Sequence, residues 1–158
     1  MANTQSMCTS FLEEVLTGTH NFGTAPVRAT GAADTFKAAL YEATATMDAS
    51  ATVYTVSGEV SGAGYTAGGV TVTNATPPAS TNTSATAGVA YWTPSASIVY
   101  TGVTLTTAFD AVLMYNSTQA DKAVAVFTFG SQTITSGNFT LTMPTNNTSS
   151  ALLRLSTT

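Results

Sequence analysis

The chain contains one histidine, His20, and one cysteine, Cys8, and these two residues set the ceiling on its chemistry. A two-histidine metal site is excluded by count, and any Ser-His-Asp arrangement would have to run through His20 alone, in the expected arm, where a hydrogen bond to a neighbouring chain or water is the plainer reading. Cys8 stands just ahead of the strongest helix signal, where a helix dipole can sharpen a thiolate; the plainer reading is a buried small residue. The eight carboxylates never fall as a close pair in the strand-forming region. A glycosidase dyad would need folding to bring Glu42, Asp48 or Glu59 up to Asp110. Glycines cluster in Ser57–Gly69, SGEVSGAGYTAGG, but Gly62, Gly64 and Gly68 miss the phosphate-cradling spacing. No lysine follows, and strand rather than helix comes next, so the stretch reads as a turn with positive φ. Tyr91, Trp92 and Tyr100 remain, on neighbouring expected strands, as a platform on which a sugar ring could stack. No nucleophile, base and orienting residue form a recognisable set, so neither an enzyme nor a cofactor is expected.

The elements that must position these residues are strands almost throughout. Phe109–Gly130, FDAVLMYNSTQADKAVAVFTFG, holds two runs apolar on both alternating faces, joined by polar turn formers. It reads as a β-hairpin buried on both sides, at the centre of the sheet system. Further strands are expected at Thr35–Glu42, Thr52–Ser57, Val70–Asn74, Gly88–Thr93, Ser97–Thr106, Asn138–Met143 and Ala151–Ser156, about nine in all. Ala75–Ala87 is expected to be a loop in which Pro77-Pro78 forbids a ladder. Residues 9–18, TSFLEEVLTG, carry the one helix signal: Thr9 or Ser10 as N-cap, Glu13 and Glu14 in the first turn, an apolar stripe, and Gly18 as the stop. From His20 to Ala33 no periodicity appears, which suggests an extended arm. The predicted fold is all-β, an antiparallel β-sandwich or jelly-roll (34–158) behind a short N-terminal helix and extended arm (1–33).

Composition narrows the partners. Only 8% of the residues are charged, against about a quarter in ordinary soluble domains, and threonine supplies about a fifth of the chain. A net charge of −4 with four scattered cations argues against nucleic acid as a partner. The polar first ten residues and the lack of an apolar window of about 20 residues predict neither a secretory signal nor a membrane span. So little charge gives little colloidal repulsion, a mild pointer to assembly.

The phrases DTFKAALY (Asp34–Tyr41), GEVSGAGYTAGGVTVTN (Gly58–Asn74), AFDAVLMYNST (Ala108–Thr118), KAVAVFTFGS (Lys122–Ser131) and GNFTLTMP (Gly137–Pro144) together resemble a widespread family of small structural proteins of tailed bacteriophages. The resemblance covers most of Asp34–Leu155, and Asn3–Gly23 looks like a leader that some members carry. It implies a virion component made in the host cytoplasm and brings no catalytic residue with it. The first expectation is a capsid decoration or cement protein on the head surface, homotrimeric, bound to the major capsid protein and to itself. The helix and arm would supply that contact through Phe11, Leu12, Val15, Leu16, Phe22 and Val27, and deleting Met1–Ala33 would leave a folded domain that no longer binds shells. Two alternatives stand beside it: a collar, neck or tail-fibre-associated subunit, and a carbohydrate-binding module using Tyr91, Trp92 and Tyr100.

Overall fold

The computed structural model describes residues 3–16, 18–22, 33–81 and 88–156. The central hairpin forms where its doubly apolar pattern predicts, as β8 (Phe109–Asn116) and β9 (Lys122–Gln132). It lies inside a five-stranded antiparallel sheet of order β1-β9-β8-β2-β4, completed by β1 (Ser6–Met7), β2 (Phe36–Glu42) and β4 (Val70–Val72). From Ala38 to Tyr41 and from Ala111 to Asn116 no residue is more than 2% exposed. Two faces of one strand can vanish from water only if both faces of the sheet are covered.

Alternation along the strands assigns the covers. Phe36, Asn116 and Lys122 are register partners in series across β2, β8 and β9. All three turn toward helix α1 (Thr9–Leu16) and the residues after it: Phe36 stacks on Phe22, Asn116 meets His20 and Lys122 meets Glu14. One position along, Tyr115 faces the other way and stacks on Tyr54, with ring centroids 4.7 Å apart. Over that second face run residues 52–69, including β3 (Gly62–Ala63). Next to them lies a three-stranded sheet, β10-β7-β3, with β7 at Ile98–Leu105 and β10 at Gly137–Leu141. It is joined to the central sheet by the Tyr100 hydroxyl, which donates to Ala38 O at 2.9 Å, and by Phe109 against Phe139. A third sheet, β11-β6-β5, comprises β5 (Ala79–Ser80), β6 (Val89–Trp92) and β11 (Leu153–Ser156), and brings Trp92 onto Phe22 and Phe36.

Several expectations are corrected. Thr52–Ser57 is no strand: it makes one isolated bridge, Val53 to Lys122, and leaves Val53 and Val56 exposed. The edge of β9 is shared. The Ala123 amide donates to Thr52 O and the Tyr54 amide to Asp121 O, while Cys8 takes Val124 O and Ser6–Met7 take the next two residues. Neither claimant has room for a long ladder. Ala79–Ser80 does pair, with Tyr91 and Ala90, directly after the two prolines, because their missing N–H groups do not disable the residues that follow. Among the described residues there are eleven strands rather than about nine, the extra ones being two residues long. The helix begins at Thr9, so Cys8 occupies the cap position and its carbonyl accepts from the Phe11 amide. Ser10 Oγ, expected as a cap, is buried without a hydrogen bond, and no acidic residue lies in the first turn.

Most of the expected extended arm, residues 23–32, lies outside the described residues, and the described positions on either side of it meet. The Asp34 amide donates to Asn21 O, and the Asn21 amide returns a bond to Asp34 Oδ2, which ties these two positions together. Cys8 and Phe11 belong to the same buried cluster as β2, β8, β9 and Leu153. Packing therefore continues across the boundary expected at residue 33.

Candidate functional site

Trp92 is 2% exposed, and its Nε1 donates to Thr76 O at 3.0 Å. Tyr100 is 1% exposed and pinned between two sheets. Neither ring face is open to a sugar, and of the expected stacking trio only half-buried Tyr91 reaches the surface. The strands expected to be adjacent, β6 and β7, lie in different sheets, and burial removes Trp92 and Tyr100 from use.

Two of them nevertheless meet the expected partner-binding residues. Phe11, Val15 and Phe22 line one surface cleft together with Met7, Pro78, Ala90, Tyr91, Trp92, Leu153 and Leu155. Among the described residues its walls carry no charged side chain. The enclosed space is about 190 Å³, below the roughly 300 Å³ at which small-molecule sites begin. It suits one or two apolar side chains rather than a cofactor or a sugar. Leu155, 48% exposed on β11, forms one lip. Phe11 is itself 2% exposed, so it serves as floor rather than as a free contact. The side chains of Leu12 and Leu16, and Val27 altogether, lie outside the described residues.

Above this floor is a polar cluster that sequence reasoning missed. His20 has no exposed side-chain surface; its Nε2 lies 2.8 Å from Glu14 Oε2, and Asn116 Nδ2 lies 3.0 Å from its Nδ1. Lys122 pairs with the other Glu14 oxygen, and Gln119 donates to Asp34 Oδ1. A carboxylate, an imidazole and an amide in line resemble the orienting half of a catalytic triad, but both ring nitrogens are engaged within the chain, and none is left for a substrate. Cys8 is equally withdrawn: burial, with Glu14 and Asp48 nearby, pushes its thiol up to about 11. A signal for the cluster existed. Glu14 falls at i+3 from Phe11 and beside Val15, a carboxylate inside the apolar stripe.

The acids considered for a dyad are each tied to local donors. Glu59 accepts from the hydroxyls of Tyr54 and Tyr65 and from the Gly68 amide, at 2.6, 2.7 and 2.8 Å. Burial raises both tyrosines, which keeps them protonated as donors. Thr107 donates to Glu42, Ser50 to Asp48 and Asn3 to Asp110. The glycine stretch turns with positive φ, as predicted, at Gly58, Gly64, Gly68 and Gly69, but between these turns it pairs as β3. Gly69 has φ +68°, and a Cβ there would lie 1.7 Å from Ala38 O. Among the described residues no group of three His, Cys, Asp or Glu could hold a metal ion.

No family model, curated protein or solved structure matches this chain.

Proposed function

We propose that this chain is a structural subunit of a tailed-bacteriophage particle, one that decorates the head shell by seating apolar side chains of the shell protein in the Phe11–Trp92–Leu155 cleft. The cleft carries the reading. Its described walls are apolar and uncharged, on a chain only 8% charged, and its size supports a contact in which one or two apolar side chains of another macromolecule are seated. The likeness of Asp34–Leu155 to phage structural proteins supplies the class of particle. The saturated His20 and the inert Cys8 supply no competing chemistry.

Quantitative mass spectrometry of purified particles against their major capsid protein tests this. Decoration follows icosahedral symmetry and requires on the order of hundreds of copies, whereas a ring or fibre at the tail vertex requires about a dozen. Leu155→Asp, at an exposed lip, should leave the fold intact and lower binding to particles lacking the protein by about tenfold or more. A dozen copies per particle, or unchanged binding by the variant, would remove the decoration reading.

A further inference from the structure

His20 is held in a way that fixes where its proton sits. Asn116 Oδ1 accepts from the backbone amides of Thr118 and Gln119 at 3.1 and 3.2 Å. Its Nδ2 donates to Asp34 Oδ2 at 2.8 Å. The amide cannot turn over without losing all three bonds, so what it presents to His20 Nδ1 is an N–H. Nδ1 must then be the lone-pair nitrogen, and Nε2–H donates to Glu14 Oε2. A second proton would have to arrive at Nδ1, facing a donor, on a side chain that water does not reach.

We propose that His20 is an acid-sensitive latch: protonation at Nδ1 expels the imidazole from between Glu14 and Asn116 and loosens the β1–α1 segment from the central sheet. The charged groups facing it, among the described residues, are Glu14 from α1, Asp34 ahead of β2 and Lys122 from β9. Burial is the largest influence and lowers the imidazole below 6.5; Lys122 adds to this, and the attraction of Glu14 and Asp34 does not overcome it. A folded-state value below the unfolded one means that stability is complete above about 6.5 and lost as pH falls toward the lowered value. Burial alone would raise Glu14, but hydrogen bonds from Lys122 and His20 outweigh it and hold the carboxyl low. Its loss at lower pH acts in the same direction. The imidazole lies 4.9 Å from the Phe11 ring and 6.1 Å from that of Phe22, so its departure unseats two residues of the cleft.

Because the chain has one histidine, its imidazole signals can be followed in the intact protein by nitrogen-detected NMR without assignment variants. From about pH 8 to about pH 4, the Nε2–H tautomer should persist below the ordinary imidazole range. It should then titrate together with a tenfold or greater loss of exchange protection at the Cys8 amide, relative to the β8 amides. His20→Gln keeps one acceptor and one donor but cannot titrate, and it should hold Cys8 protection level over that range. A ring that titrates at its ordinary value or higher would overturn the latch, as would one that titrates without loosening Cys8. The same acid loss in His20→Gln would also overturn it. If that variant does not fold, the NMR titration of the unaltered chain decides alone.

Discussion

Trp92 shows how burial redirects a residue whose type suggests recognition. Its indole packs against both Phe22 and Phe36 and its one donor is used by Thr76 O, so Trp92→Ala should cost about 3–5 kcal/mol, as for other buried aromatic truncations. Urea midpoints measure this, with Tyr91→Ala as a half-buried comparison that should shift far less. Near-equal midpoints for the two variants would mean that the indole is not a core residue. In the sequence, Trp92 beside Thr93-Pro94 could be read either as platform or as packing, and only the position of Phe22 distinguishes them. His20 was invisible for a related reason. Its partners lie 6 and 96 residues away, and nothing local reports that Asn116, the last residue of an apolar strand, would point toward it.

Elements were legible where one pattern dominated and obscure where two segments competed for one place. The β8–β9 hairpin, β2, β7 and α1 follow from apolar periodicity and turn residues. Thr52–Ser57 alternates as well as β10 does, yet it cannot extend along an edge that Ser6–Cys8 already hold. The helix signal was sound: a two-turn helix is unstable alone, and α1 buries Phe11 within its own chain. Removing residues 1–22 therefore takes β1, Cys8, Phe11 and Phe22 out of one packed cluster. At about 2 kcal/mol for each large buried side chain, that loss rivals a total stability of about 5–15 kcal/mol. The truncated chain should unfold at a markedly lower denaturant concentration than the full chain, and a matching midpoint would show the segment to be dispensable.

At the scale of the whole molecule, a buried cluster running from Cys8 to Leu153 predicts one cooperative transition. Trp92 fluorescence, reporting the junction of α1, β2 and β6, should coincide with far-ultraviolet dichroism of the sheets across a urea series. Two separated transitions would restore a boundary near residue 33. The paired bonds between Asn21 and Asp34 have a consequence of another kind. Because these bonds hold Asn21 beside Asp34, they close a loop whose entropic cost grows by only about 0.6 kcal/mol per doubling of length. The cost of holding these two positions together is thus nearly independent of how long the stretch between them is.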